Sequence, residues 1–201
     1  MSWLHEFEEA MHSQFPQVLQ TLEKSFVNNS HIDRLERKVG SDLPIDWVKF
    51  YQKWAGQTQE TADSFQFGYR VLLVDEVLET ISTNKLRWKD RLFEENWGSP
   101  NWIPWLSDDE GGLVVDAANS FHGQAGQIIE LWYDWDERNV EFASLKGFHQ
   151  TKTKSLKDNL WLEEEGNILP KEDQVWNEYS ENLNPGYSIE EFAGPRSGFD
   201  E

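Results

Sequence analysis

Two groups of carboxylates carry the residue types most capable of chemistry. Asp108, Asp109 and Glu110 stand before Gly111-Gly112, and Asp134, Asp136 and Glu137 follow the apolar run Ile128-Ile129-Glu130-Leu131-Trp132. Paired carboxylates can exchange protons with a substrate or hold an oxygen-ligated cation. The spacing Asp108-x-Glu110-Gly111 lacks the further ligands of a calcium loop, which weakens the metal reading. Acidic residues also collect in turns because turns are solvated, and a carboxylate surface can grip a basic protein. All three readings stay open on residue types alone. Trp102, Trp105, Trp132 and Trp135 lie close to these acids in the chain. Tryptophan is enriched at the centres of protein contacts, yet the same rings can pack a sheet against helices. In a strand, Trp102 and Trp105 would point to opposite faces. The expected partner-contacting set is therefore Trp102, Trp105, Asp108, Asp109, Glu110, Asp134, Trp135, Asp136 and Glu137.

The remaining residues add no convincing catalytic constellation. His5, His12, His31, His122 and His149 show no metal-ligand or general-base spacing, and His122 has nothing in sequence to orient it. The expectation for each is a structural or exposed imidazole. Gly123-Gln124-Ala125-Gly126-Gln127 lacks the Lys-Ser/Thr ending and the following helix of a phosphate loop. No serine stands in a G-x-S-x-G elbow, and the absence of cysteine excludes thiol catalysis and thiolate metal sites. Neither a cofactor nor a metal is expected, and the chain does not read as an enzyme.

Charge narrows the partner. The 201 residues carry 37 acidic and 18 basic side chains, a formal net charge of −19. Direct nucleic-acid binding needs a basic footprint, and an anionic membrane repels such a surface. A basic protein is the partner favoured electrostatically, although the charge would also keep any domain soluble. No run approaches the roughly 20 apolar residues of a membrane span, and Met1-Ser2-Trp3-Leu4-His5-Glu6 is unlike a signal peptide. With no cysteine, the expected compartment is the cytoplasm.

Several elements must position these residues. Trp3, Leu4, Phe7, Met11 and Phe15 repeat at helical spacing. Pro16 suits the first turn of a second helix that Val18, Leu19, Leu22 and Phe26 extend to Asn28-Asn29. Ser30 can cap a third helix bearing Ile32, Leu35 and Val39 before Gly40. Leu43-Pro44 opens a fourth carrying Trp47, Phe50, Tyr51 and Trp54, closed by Gly56. Residues 70–74 then read as a strand, with Asp75 capping a helix that extends toward Phe93, broken near Thr83-Asn84. Residues 102–106 and 113–116 read as a hairpin, with Pro104 at an edge or bulge. Residues 127–133 form the strongest strand, 140–143 a short one, and a last helix ends near Leu162. Beyond it, residues 163–201 hold 11 acidic side chains against Lys171 and Arg196, with a short helix expected around Val175, Trp176 and Tyr179. The order predicts an α+β fold: N-terminal helices packed on a mainly antiparallel sheet of about four to six strands. Tryptophans number 11 and phenylalanines 12, enough large rings to fill a core.

In this order the residues resemble the SUKH superfamily, which includes a fungal cell-wall-synthesis regulator and many bacterial immunity proteins. The likeness rests on Ile32-Asp33-Arg34-Leu35-Glu36, then Leu43-Pro44-Ile45-Asp46-Trp47 and Gly56. It continues with Trp102-Ile103-Pro104-Trp105-Leu106 through Gly111-Gly112 to Val115-Asp116, and then Gly126-Gln127-Ile128-Ile129 with Asp134. Each motif alone is weak, and four in order are fairly specific. The resemblance covers about residues 28–165. It divides the chain into a helical extension at 1–29, a SUKH-like domain at 30–165 and an acidic, partly ordered segment at 166–201. It implies an α+β fold and a protein-binding role, often the neutralisation of a toxin, many of which are nucleases. The leading expectation is an immunity protein that blocks a basic toxin. A regulatory scaffold for a signalling or cell-wall-biosynthesis protein is the alternative, and a hydrolase built on the turn carboxylates is the reading of another class.

Overall fold

The computed structural model describes residues 2–58, 64–90, 98–108, 111–132 and 138–189. Helix α1 (Trp3–Gln14) buries Leu4, Phe7, Ala10 and Met11 along one face, and the His5 amide donates to the Ser2 hydroxyl at its start. Pro16 occupies the first turn of α2 (Pro16–Thr21), where its missing N–H is harmless. The expected continuation to Phe26 does not occur. The chain instead enters β1 (Leu22–Lys24), which pairs antiparallel with β2 (Trp54–Gln57). Helical spacing of Leu22 and Phe26 thus yields to a partner strand that comes from far along the sequence, and Phe26 is left 51% exposed. Trp54 likewise leaves the helix pattern to open β2.

Helix α3 (Asn29–Val39) is capped by Asn28 rather than Ser30. The Asn28 side chain accepts from the Ser30 and His31 amides, while the His31 ring accepts from the Asn28 amide. Helix α4 (Ile45–Lys53) buries Trp47, Phe50 and Tyr51. The Tyr51 hydroxyl donates to the Leu72 carbonyl at 2.8 Å, and Gln57 accepts from the Val71 amide while donating to Thr21. These bonds staple the N-terminal helical half to β3 (Arg70–Val71). Helix α5 (Val74–Asp90) follows, running unbroken past Thr83-Asn84, and its first turn is braced where Arg70 forks onto Glu76 at 2.7 and 2.8 Å.

Gly56 sits where β2 meets the residues after β3. Its φ is +119°, and a Cβ there would lie 2.4 Å from the Leu72 carbonyl oxygen. Both the backbone region and the space exclude a side chain. Gly56→Ala is expected to lower stability by about 2–3 kcal/mol, read as a shift in the urea midpoint at unchanged slope.

The main sheet is an antiparallel meander of β3, β4 (Trp102–Ser107), β5 (Gly111–Asp116), β6 (Ile128–Trp132) and β7 (Val140–Phe142), adjacent in that order. The α+β expectation and its strand count hold. Pro104 lies on β4, an interior strand, and is accommodated by a register shift between Pro104 and Leu106. One face places Ile103, Trp105, Leu113, Val115, Ile128 and Phe142 in the main core with the helices. The other carries Trp102, Val114, Ile129, Leu131 and Val140 under Phe121 and Tyr187.

Helix α6 (Leu145–Lys157), capped by Ser144, runs through the middle of the main core against α1. It is followed by a hairpin that sequence periodicity missed, β8 (Trp161–Glu164) and β9 (Asn167–Pro170), and by α7 (Asp173–Leu183). Trp161, Ile168 and Trp176 join the same core as Leu4, Phe7 and Met11. Both flanking segments therefore contribute to one hydrophobic interior. Beyond α7, Ile189 exchanges backbone hydrogen bonds with Val140 at 2.8 and 3.1 Å.

Candidate functional site

The acids singled out in the sequence belong to segments that join the sheet at the end where β5 begins and β6 finishes. Gly111 pairs with Trp132, so the β4–β5 turn and the stretch after β6 leave from neighbouring strand ends. Asp108 closes its turn by accepting from the Gly111 amide at 2.8 Å. Asp109, Glu110, Asp134, Trp135, Asp136 and Glu137 lie outside the described residues. The strands bring their attachment points together, an arrangement set by register and invisible in linear order.

Trp102 and Trp105 require a correction. They are 3% and 0% exposed, on opposite faces of β4 as alternation dictates. Trp102 donates to the Ser120 hydroxyl at 2.8 Å, and Trp105 packs edge-on against Phe148 with ring centres 5.0 Å apart. Neither ring is available to a partner in this fold. The apolar runs around them demanded burial, and that demand prevails over any surface role.

Beside the acidic end lies a cleft of about 460 Å³ between the sheet and α7. Phe67, Tyr69, Trp132, Phe142, Phe148 and Trp176 supply its aromatic walls, and Glu130, Glu141 and Asp173 its carboxylates. Glu130 and Trp132 are two apart on β6 and so share a face. Trp132 and Tyr69 stand with ring centres 6.0 Å apart. Trp176 closes the α7 side, held by Trp161 at 4.8 Å.

Electrostatics in the cleft are unusual. Burial, and then the neighbouring Glu130 charge, push the Glu141 carboxyl up to about 7, offset in part by a hydrogen bond from the Ser188 hydroxyl at 3.1 Å. Burial, with Glu130 and then Asp108 nearby, raises the Tyr69 phenol well above its ordinary range, so it stays a hydrogen-bond donor. A carboxyl raised to about 7 beside a second carboxyl can exchange a proton with a substrate. No Ser, Thr, Cys or Lys is among the described residues that form the lining, so its reactive groups are carboxylates and the Tyr69 phenol.

Sequence reasoning named Trp132 as part of the aromatic cluster but passed over Tyr69, Glu130, Glu141 and Trp176 as site residues. A usable signal existed for two of them. Glu130 interrupts Ile128-Ile129 and Leu131-Trp132, and Glu141 sits between Val140 and Phe142, each an acid inside a strand otherwise built for burial. Tyr69 and Trp176 come from distant segments and gave no such sign.

Among the described residues no helix is long and apolar enough to cross a membrane, and no three His, Cys, Asp or Glu side chains converge as metal ligands. Comparison with curated proteins finds no match. The model of the SMI1 / KNR4 family (SUKH-1) matches residues 27–151, more than half of the chain. That span runs from the cap of α3 into α6 and includes the whole five-stranded meander. Glu130, Trp132 and Glu141 fall within it, whereas Asp173 and Trp176 lie beyond.

Proposed function

The chain belongs to the SMI1/KNR4 family (SUKH-1), and from that premise we propose that it is an immunity protein acting in the cytoplasm. It binds and occludes a basic toxin through the acidic end of its sheet. The observation that carries this reading is the cleft beside that end, where three carboxylates and six aromatic rings meet with no basic side chain among the described residues of the lining. A net charge of −19 adds long-range attraction for a basic partner. If the toxin is a nuclease, the carboxylates stand in for substrate phosphates. The hydrolase alternative has less support, since it uses only the carboxylates and leaves the six aromatic rings of the cleft without a role.

The test is recovery of the partner from the protein's own lysate on the tagged chain, with washes at low and high salt. The expected result is one basic protein, retained at low salt and reduced at least 10-fold above roughly 0.5 M, where exposed charges are screened within a few ångström. A salt-resistant neutral or acidic partner would instead favour the regulatory-scaffold alternative.

A further inference from the structure

We propose that the cleft between the sheet and α7 receives one arginine side chain of the partner, its guanidinium stacked on the aromatic walls and paired with Glu130 and Glu141. This rests on the protein-binding reading and names the group that the site selects.

The walls speak for a cation with apolar flanks. Faces of Trp and Tyr rings attract positive charge, and desolvation strengthens the attraction. Trp132, Tyr69 and Trp176 line the cleft together with Glu130, Glu141 and Asp173, and no Lys, Arg or His is among the described residues of the lining. A bare metal ion does not suit the site, because these carboxylates do not converge as a ligand set among the described residues. Nor would a metal use the rings. At about 460 Å³ the space falls in the range of pockets that enclose organic groups, roughly 300–1,000 Å³.

Arginine fits better than lysine. Its planar guanidinium is weakly hydrated, stacks on aromatic faces and forks onto carboxylates, whereas an ammonium is a compact and strongly hydrated point charge. Glu141 stands beside Glu130 in a site where burial disfavours a second negative charge. An arriving guanidinium reverses that balance, so Glu141 releases its proton as the side chain binds. The other groups facing the site are Tyr69 from the segment before β3, Glu130 from β6 and Asp173 from α7, with Asp108 near Tyr69. The Tyr69 phenol stays protonated across the neutral range, which leaves Glu141 as the group that couples binding to pH near 7.

The test is titration of the full chain with the tripeptide acetyl-Gly-Arg-Gly-amide, followed through the indole N–H resonance of Trp132. Comparison peptides carry citrulline, of equal shape without charge, or lysine. The arginine peptide is expected to bind at least 5-fold more tightly than either. With Glu141 near 7, its affinity should rise about 10-fold from pH 6 to pH 8, and Glu141→Gln should abolish that rise. Glu130→Gln should weaken binding about 5-fold. Both variants keep side-chain size and remove a charge, and a thermal melt verifies that each is folded. Equal binding of citrulline or lysine, a pH dependence that survives in Glu141→Gln, or no shift of the Trp132 resonance would overturn the assignment. A lysate partner held as tightly by the Glu130→Gln, Glu141→Gln double variant would also overturn it, while leaving the protein-binding reading intact. Conversely, peptide binding as expected with no partner recovered would remove that reading and leave the cleft's selectivity standing.

Discussion

Truncating Trp105 to alanine is expected to destabilise the fold by about 3–5 kcal/mol, a large share of what a domain of this size possesses. Trp105 is fully buried on β4 and touches Phe50, Phe148 and His149 at ring separations of 5.9, 5.0 and 5.5 Å. Those rings come from α4 and α6, so the indole joins both helices to the sheet. The void left by its removal cannot close without moving elements that are held elsewhere, and a retained cavity adds to the lost transfer energy. One feature of the indole works the other way. Its Nε1 has no hydrogen-bond partner among the described residues, so an unsatisfied buried donor disappears with the ring. Trp105→Phe should therefore cost clearly less than alanine, keeping most of the packing and losing the orphan N–H. Phe26→Ala, at a 51% exposed position, should change stability by no more than about 0.5 kcal/mol. Urea unfolding of the three variants measures this, and a Trp105→Ala cost below about 1 kcal/mol would contradict the core described above.

Acid should unfold the protein through His149. This imidazole is fully buried, with Trp3 and Phe7 at 4.9 and 4.6 Å and its Nδ1 bonded to the Leu145 carbonyl at 2.8 Å. Burial lowers its pKa to about 3, opposed by that hydrogen bond and reinforced by the nearby Lys152. The unfolded chain binds the proton near 6.5, so the unfolded state takes up more protons throughout the interval from about 6.5 down to 3. Stability consequently falls with decreasing pH across that window, by about 1.4 kcal/mol per unit. Glu141 acts in the opposite sense. Its folded-state value of about 7 lies above the ordinary 4.5, so its contribution is fully present below 4.5 and is lost as pH rises through 7. Between 4.5 and 6.5 the two largely offset each other, and below 4.5 His149 acts without that compensation. Lys152, also buried, is held well below its usual range by burial and rests 2.9 Å from the Trp161 ring centre. The unfolded chain binds that proton more readily, which gives a stability that rises with pH, the same sense as His149. The expected profile falls more steeply below 4.5 than between 6.5 and 4.5, where Glu141 opposes His149. His149→Phe should reduce the slope of the steep limb. Identical acid limbs in the two proteins, measured by denaturant midpoints at successive pH, would refute the assignment to His149.

Much of the architecture was readable because it depends on local pattern. Pro16 marked a helix start, Gly40 a helix end, and Asp108 through Gly112 a hairpin turn between two β-prone runs. The α+β class and the antiparallel meander followed, and the motif order pointed to the family that the profile match supports. What failed had a common cause. Leu22, Phe26 and Trp54 carry helical spacing, yet β1 and β2 form there because backbone groups some 30 residues apart satisfy one another. The β8–β9 hairpin was hidden because only one of its strands carries a strong apolar signal, and its place is set where the Gly166 and Ile168 carbonyls accept from the Ser64 and Phe67 amides.

The site divides along the same line. Residue types and charge alone determined that this chain is rich in carboxylates and aromatic rings, since composition is independent of folding. Which rings line the cleft was decided by the tertiary structure. Trp102 and Trp105 lie on β4, whose two faces are both covered, so their area is spent on the interior. Trp132 ends its strand at the open edge of that core, where Tyr69, from the segment before β3, and Trp176 of α7 arrive to complete the cleft. Burial is a property of what packs against a residue, and for these tryptophans the packing partners lie far away in the chain.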